Sequence, residues 1–302
     1  MNPRQTLAIL ALQFLLCSTA AAQSIGPGLM AATQFAKDLS FPEKTSTFSI
    51  FSTPEMALYK PDGAGPFPAL VLQHQCGGLG SGTRNNQSML QWAKTAVARG
   101  YVALVIDSLG PRGVGSVCQG AQGGVNFPRG TRDTLQAAEH LRKFEFVDKE
   151  RIALAGYSWG GMNTVLASRN SWGSALASTG RFAAGVSFYP GCFTIRPASG
   201  NPYEIVSLDI DRPLLVLMGD QDTETPPAEC TGRLAAAKEA GAPVEWHVYP
   251  GATHCWDCKH LHNFNKVDFR GTQVTYKYDA SITKDSEQRM FDFLDKSMAV
   301  KR

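Results

Sequence analysis

The chain has 302 residues, of which 43% are hydrophobic, 10% aromatic and 18% charged. This composition excludes an intrinsically disordered protein, and its 29 glycines and 17 prolines follow no period typical of collagen or a coiled coil. Lys and Arg total 29 against 26 Asp and Glu, and the resulting net charge of +3 indicates no nucleic-acid partner.

The first 22 residues have the layout of a secretory signal peptide. Arg4 supplies a positive charge, residues 7–17 form an apolar run, and three alanines precede Gln23. The apolar run is shorter than the ~20 residues that a membrane helix needs. We therefore predict cleavage near Ala22, export to the periplasm or the medium, and a mature chain without a membrane span. A buried N-terminal helix is the alternative.

Strand-like segments alternate with helical patterns along the mature chain, after an antiparallel hairpin predicted at residues 46–60. The predicted strands are residues 69–73, 101–107, 151–155, 182–189, 213–219 and 244–249. The predicted helices are residues 87–99, 132–144, 161–169, 228–240 and 286–298. Several strands are apolar throughout, which is typical of parallel strands covered on both faces. The order predicts one α/β domain over residues 23–302, with a doubly wound, mostly parallel sheet.

Two irregular stretches, residues 109–130 and 255–281, interrupt this alternation. Both follow the carboxyl end of a predicted strand, which is where open α/β sheets bind ligands. Because loops of this length in a compact domain are more often functional than not, we expect both to contribute to a site.

The segment Gly156-Tyr157-Ser158-Trp159-Gly160 stands between a predicted strand and a predicted helix. This is the pattern of a nucleophile elbow, in which serine occupies a sharp, strained turn and the glycines permit close packing of strand and helix. The helix start would stabilise negative charge that develops beside Ser158. We predict Ser158 as a nucleophile, and a plain tight turn is the alternative.

A serine nucleophile needs a histidine base and an acid that orients it, and the elbow predicts the chain order serine, acid, histidine. The fifth predicted strand is followed by Asp220 and Asp222, and the sixth by His254. We predict Asp222 as the acid, with Asp220 as the alternative or as a turn former. His254 is the predicted base, whereas His140 is expected at the surface and His74 as a brace of its loop.

Backbone N–H groups are expected to bind the oxyanion of the reaction. One is that of Trp159, and the other comes from the loop after Gln73, where Cys76 is the candidate. The candidate substrate-binding residues are Arg112, which could recognise a carboxylate, Gln75 and Trp256.

These motifs together resemble the dienelactone hydrolase family of α/β-hydrolases over most of residues 68–298. The matching segments are LVLQHQCGG, IDSLGPRG, RDTLQAAEHLRKFEFVDKERIALAGYSWGG, LMGDQDTETPP and YPGATH. The resemblance implies the α/β-hydrolase fold and hydrolysis of a small-molecule ester or lactone without a cofactor, through Ser158, Asp222 and His254. The name-giving enzymes have a cysteine nucleophile and a glutamate where Gln75 stands, so dienelactone is not the expected substrate. A peptidase of the prolyl-oligopeptidase type is an alternative.

The cysteines are expected to form disulfides. Removal of Cys17 with the signal peptide leaves six, an even number that favours disulfides in an exported protein, with six free thiols as the alternative. The fold suggests three pairs: Cys76 with Cys118, Cys192 with Cys230, and Cys255 with Cys258. The last pair lies in THCWDCKHLH, where His254, His260 and His262 could complete a zinc or copper site. We predict no metal, because His254 is the base and the cysteines can bond each other.

Overall fold

The computed structural model describes residues 26–80, 85–268 and 270–299. The predicted signal peptide, residues 1–22, lies outside the described residues. In the part of the chain that is described, no helix is both long enough and apolar enough to cross a membrane.

Strands and helices alternate as the sequence predicts. In chain order the strands are β1 (Ala57–Tyr59), β2 (Phe67–Gln73), β3 (Val102–Ile106), β4 (Val147–Tyr157), β5 (Ala184–Phe188), β6 (Thr194–Ile195), β7 (Tyr203–Glu204), β8 (Leu214–Gly219), β9 (Val244–Tyr249), β10 (Asn265–Val267) and β11 (Gln273–Thr275). The α-helices are α1 (Gly26–Thr33), α2 (Gln87–Ala98), α3 (Phe127–Leu141), α4 (Trp159–Ala167), α5 (Asn170–Leu176), α6 (Ala228–Glu239) and α7 (Ala280–Ser297).

Within the described residues, seven strands form one sheet in the order β1-β3-β2-β4-β5-β8-β9. β1 runs antiparallel to β3, and the other neighbours in the sheet are parallel. The carboxyl ends of β2, β4, β8 and β9 therefore lie along one edge, and the segments that follow them can meet there. Two short antiparallel pairs, β6 with β7 and β10 with β11, lie outside this sheet.

Apolar residues cover both faces of the sheet. Leu70 and Leu72 of β2 point into one core with α2 and α7, whereas Ala69 and Val71 point into the other with α1, α3, α4, α5 and α6. All five residues of β3 are buried, which is why this strand is apolar throughout instead of alternating. The predicted doubly wound, mostly parallel α/β sheet is thus confirmed.

The predicted hairpin at residues 46–60 is wrong. Only Ala57–Tyr59 forms a strand, which pairs with β3, and the preceding segment contributes an isolated parallel bridge from Thr45 to Leu58 instead of an antiparallel strand. The preceding residues form turns, in which the Ser49 amide donates to the Ser52 hydroxyl and the Ile50 and Phe51 side chains are exposed. Apolar character in this segment therefore did not indicate burial.

Three helices begin earlier than predicted, α4 by two residues and α3 and α7 by about a turn or more, the latter two because their first turns are polar or contain proline. α3 begins at Phe127, with Pro128 in the first turn and the Asn126 side chain accepting the Arg129 amide N–H. Proline is tolerated there because the first N–H groups of a helix have no partner within it. α7 begins at Ala280, capped by the Asp279 carboxylate.

Candidate active site

Ser158 occupies the turn between β4 and α4 with a φ of 53° and a ψ of −111°. Its amide N–H donates to the Phe188 carbonyl at 2.9 Å, which ties the turn to β5. A Cβ at Gly160 would lie 2.4 Å from the Gln73 carbonyl oxygen, and one at Gly156 would lie 2.0 Å from that of Gly160. Both predicted glycines are therefore required, because the backbones approach too closely for a side chain.

The imidazole of His254 joins the predicted nucleophile to the predicted acid. Its Nε2 lies 2.9 Å from Ser158 Oγ, and its Nδ1 lies 2.7 Å from Asp222 Oδ2. All three residues are buried, with His254 only 2% exposed. A proton on Nδ1, donated to the carboxylate, leaves Nε2 as the acceptor for the serine hydroxyl.

The turn after β8 holds Asp222 in place. Its Oδ1 accepts the amide N–H groups of Glu224 and Thr225, at 2.9 and 2.8 Å, and its Oδ2 also accepts the Thr225 hydroxyl at 2.8 Å. Asp220, the alternative acid, is exposed and accepts the Gly251 amide N–H at 2.7 Å. Asp220 is therefore a turn residue, and the geometry favours Asp222.

The surroundings of His254 favour its protonated form. Complete burial lowers the pKa of His254, but the negative charges of Asp222 and Glu224 outweigh burial and raise this pKa above its ordinary value. The Tyr189 ring packs edge-on against the imidazole with centroids 4.7 Å apart, which restricts its rotation. An imidazolium formed during a reaction would therefore be stabilised where it stands.

Of the two predicted oxyanion donors, one belongs to the elbow and the other to the loop after β2. Trp159 is the first residue of α4, and Cys76 follows β2, against whose last carbonyls Gly160 packs. Among the hydrogen bonds of the described residues, neither the Trp159 nor the Cys76 amide N–H is donated to a protein acceptor. Their role as oxyanion donors stays a prediction.

Two histidines outside the candidate site, His74 and His140, are structural. His74 is buried, and its Nε2 accepts the Ser108 amide N–H at 3.0 Å, so the predicted brace is confirmed. The prediction that His140 lies at the surface is wrong, because this residue is 4% exposed and packs against Phe41 and Phe144. Its helical pattern did not show that residues before β1 cover this face of α3.

The proposed carboxylate-binding role of Arg112 is wrong. Its guanidinium binds the carboxylate of Asp133 through two hydrogen bonds, at 2.6 and 2.8 Å, and also the carbonyls of Lys37 and Ser108. The Arg112 side chain is 4% exposed. Its donors therefore serve a partner within the protein instead of a substrate.

The predicted role of Trp256 in substrate binding is also wrong. It is fully buried, packs edge-on against Tyr189, and donates its indole N–H to Ser286. Gln75 lies at the edge of the site, where its side-chain amide donates to the Tyr189 hydroxyl at 3.2 Å. Its oxygen accepts the Asn86 side-chain amide, so substrate binding by Gln75 stays a prediction.

All three predicted disulfides are present: Cys76–Cys118, Cys192–Cys230 and Cys255–Cys258. The metal-site alternative needs free thiolates, but the sulfurs of Cys255 and Cys258, which lie near Asp257, are bonded to each other. His254 points to Ser158 and Asp222 instead. The oxidised pair is therefore a poor set of metal ligands.

Sequence reasoning missed Glu224, whose Oε2 lies 3.9 Å from His254 Nε2. It also missed Tyr189, which packs on the imidazole and donates its hydroxyl to Asp257 at 2.7 Å. The spacing of Asp222 and Glu224 was a usable signal. An aspartate side chain that accepts the amide N–H of the second residue after it forms a turn, which keeps that residue near the aspartate. Nothing local indicated Tyr189.

A serine elbow on a mostly parallel sheet, followed in chain order by an acid and a histidine in hydrogen-bond contact, defines an α/β-hydrolase. The profile of the dienelactone hydrolase family matches residues 55–298. The chain therefore belongs to the dienelactone hydrolase family.

Two curated relatives, from Yersinia pestis and Escherichia coli (strain K12), are both named as candidate carboxymethylenebutenolidases. The first is 28% identical over 147 residues, which is 48% of this chain and 47% of the relative. The second is 28% identical over 148 residues, or 48% of this chain and 46% of the relative. The matched region thus spans about half the length of these relatives.

Solved structures share the fold at lower sequence identity. A candidate dienelactone hydrolase from Klebsiella pneumoniae has a TM-score of 0.61 and 20% identity, over 80% of this chain and 93% of that chain. An esterase from Thermogutta terrifontis with bound propionate has a TM-score of 0.57 and 16% identity, over 81% of this chain and 89% of that chain. These similarities establish the α/β-hydrolase fold.

Proposed function

We propose that the protein is a serine hydrolase that cleaves small carboxylic esters or lactones. The observation that carries the proposal is the unbroken line from Ser158 Oγ through the His254 imidazole to the Asp222 carboxylate, with contacts of 2.9 and 2.7 Å. Each contact lies in the range that proton transfer requires. Family membership and the name of the esterase among the structural neighbours support the same reaction class.

In the first step, Ser158 Oγ attacks the carbonyl carbon of the ester while its proton passes to His254 Nε2. Asp222 holds the proton on Nδ1 and stabilises the imidazolium that forms. The carbonyl oxygen takes the negative charge and accepts hydrogen bonds from the Trp159 and Cys76 amides. Collapse of this intermediate breaks the bond to the alcohol oxygen, which receives the proton from Nε2.

In the second step, water attacks the acyl-enzyme. His254 Nε2 removes a proton from the water as its oxygen bonds to the acyl carbon, and then returns it to Ser158 Oγ as the acid leaves. Residues of the chain supply the nucleophile, the general base and the oxyanion donors of both steps. The proposed reaction needs no cofactor.

The same proposal includes export of the protein. The signal-like segment at residues 1–22 supports it, as do the three disulfides, because such bonds persist mainly in oxidising compartments. N-terminal sequencing of protein recovered from the periplasm or medium is expected to begin at Gln23. Retention of Met1 in exported or cytoplasmic protein would contradict cleavage.

The direct test is Ser158→Ala, assayed with short p-nitrophenyl esters and with a fluorophosphonate probe that labels activated serines. Loss of the nucleophile is expected to abolish labelling and to lower kcat by about 10⁶-fold. Ser174→Ala, which removes an exposed hydroxyl on α5, serves as the matched control and should retain both signals. Near-full activity in Ser158→Ala would contradict the assignment.

A further inference from the structure

Glu224 lies in the turn that follows β8, two residues after Asp222. Asp222 accepts its amide N–H at 2.9 Å, and this turn directs the Glu224 side chain toward the imidazole of His254. The residue is only 7% exposed. A buried carboxylate without compensating partners is unfavourable, so its surroundings must account for it.

A carboxylate therefore lies near each nitrogen of the imidazole. Asp222 Oδ2 is 2.7 Å from Nδ1, and Glu224 Oε2 is 3.9 Å from Nε2. The second distance is too long for a hydrogen bond, so Glu224 does not compete with Ser158 for the Nε2 proton. At this range the interaction is electrostatic, and burial weakens its screening by solvent.

Two residues from the segment after β9 hold the Glu224 carboxylate. Lys266 of β10 donates to Oε1 at 2.7 Å, and the Tyr276 hydroxyl donates to Oε2 at 2.7 Å. Burial raises the pKa of Glu224, but the positive charges of His254 and Lys266 and these hydrogen bonds outweigh burial and lower it. Glu224 is therefore ionised where the imidazolium forms.

We propose that Glu224 is a positioning residue, a second carboxylate that stabilises the imidazolium of His254 from the side of Nε2. This inference rests on the proposed serine-hydrolase function and deepens it. The neutral imidazole gains little from Glu224, whereas the imidazolium formed by proton transfer from Ser158 gains a charge interaction. Glu224 would thus lower the barrier without touching the substrate.

The polar and charged groups that face His254 come from several elements. They are Ser158, Tyr189, Asp222, Glu224, Thr225, Asp257, Lys266 and Tyr276. The positive charge of Lys266 lowers the pKa of His254, whereas Glu224 raises it. Removal of the Glu224 charge should therefore lower the pKa of His254, and removal of the Lys266 charge should raise it.

The test is an NMR titration of the His254 imidazole, with the signal assigned by its loss in His254→Gln. Glu224→Gln is expected to lower the pKa of His254 by about one unit, since an opposite charge at this range shifts a pKa by that order. The acidic limb of kcat/KM should move to lower pH by the same amount. kcat should fall about tenfold, because one pKa unit corresponds to tenfold in rate, with little change in KM.

Two further variants separate this electrostatic role from a structural one. Lys266→Met is expected to raise the pKa of His254, and Glu245→Gln, an exposed carboxylate on β9, should leave it unchanged. An unchanged pKa in Glu224→Gln, or an unchanged or lower one in Lys266→Met, would overturn the inference. Because the titration needs no turnover, it fails or succeeds separately from the Ser158→Ala test of the function itself.

Discussion

Two buried carboxylates, Asp222 and Asp133, each bind a residue for which the sequence predicted a functional role, His254 and Arg112 respectively. Asp222 is 3% exposed and faces the titratable ring of His254. Asp133 is fully buried and faces two guanidinium groups, those of Arg112 and Arg129. One carboxylate therefore adjoins a group that can gain a proton, and the other adjoins groups that always carry one.

This difference in partners distinguishes a carboxylate that can assist proton transfer from one that stabilises the structure. Arg129 also binds the carbonyl of Thr33 and the carboxylate of Asp38, so the Asp133 cluster fastens the segment before β1 to α3. A guanidinium cannot release its proton in a protein, and the cluster therefore holds the chain without taking part in proton transfer. Arg112, in the loop after β3, therefore stabilises the structure, whereas Asp222, in the turn after β8, can assist proton transfer.

The largest expected effect is that of Asp222→Asn on activity. An asparagine can donate to Nδ1 and so favour the tautomer with the proton on Nε2, which cannot accept from Ser158. We expect kcat to fall by about 10³- to 10⁴-fold with a smaller effect on stability. Ester hydrolysis and urea unfolding measure the two, and Asp220→Asn is the matched control. Equal losses of activity in both variants would remove the distinction between these aspartates.

Asp133→Asn is expected to lower stability strongly and activity little. Removal of one charge from a buried cluster leaves Arg112 without a carboxylate and Arg129 with only the exposed one of Asp38, which should lower the free energy of unfolding by about 3–5 kcal/mol. kcat of the folded protein should stay near that of the wild type. Asp38→Asn, which removes an exposed partner of the same Arg129, should lower the free energy of unfolding by no more than about 1 kcal/mol. A large fall in kcat for folded Asp133→Asn would break the comparison.

The smallest expected effects come from removing two disulfides, one of which should matter for stability and the other for activity. Cys192 and Cys230 are 38 residues apart, so the double serine variant should lose about 2–4 kcal/mol of stability, chiefly through the unfolded chain. Cys255 and Cys258 are 3 residues apart, and Cys255 directly follows His254 with a φ of 59°. Their double serine variant should lose less stability and more kcat. Denaturation measures the stability of both variants, and steady-state kinetics measure their kcat. A larger loss of kcat in the Cys192/Cys230 variant, or a larger loss of stability in the Cys255/Cys258 variant, would contradict the prediction.

Elements that depend on a continuous local pattern were predicted well. β9 matches its predicted bounds, and β2, β3 and β8 differ by a residue or two at their ends, because apolar runs bounded by turns mark strands buried on both faces. β4 begins earlier than predicted, since its first residues include the exposed Lys149 and Glu150. α1 and α5, with no strong apolar stripe to mark them, were not predicted.

Ser158, Asp222 and His254 were predicted because each is placed by a local rule, the elbow or the end of a strand, and their chain order is restricted by the fold. Arg112 and Trp256 were misjudged because their partners are distant in sequence. Asp133 lies 21 residues after Arg112, and Ser286 lies 30 residues after Trp256. No local signal shows whether such a side chain already has a partner.

The sequence by itself determined the alternating α/β order and the strained turn at Ser158, whereas the pairing of the six cysteines outside the predicted signal peptide stayed one of several alternatives until the structure was known. The order and the turn depend on periodicity and on glycine at close approaches. Only the tertiary structure decided which charges meet: Arg112 with Asp133, and Glu224 with His254. The physical reason is that electrostatic interactions depend on distance in space and on burial, and neither is set by neighbours along the chain.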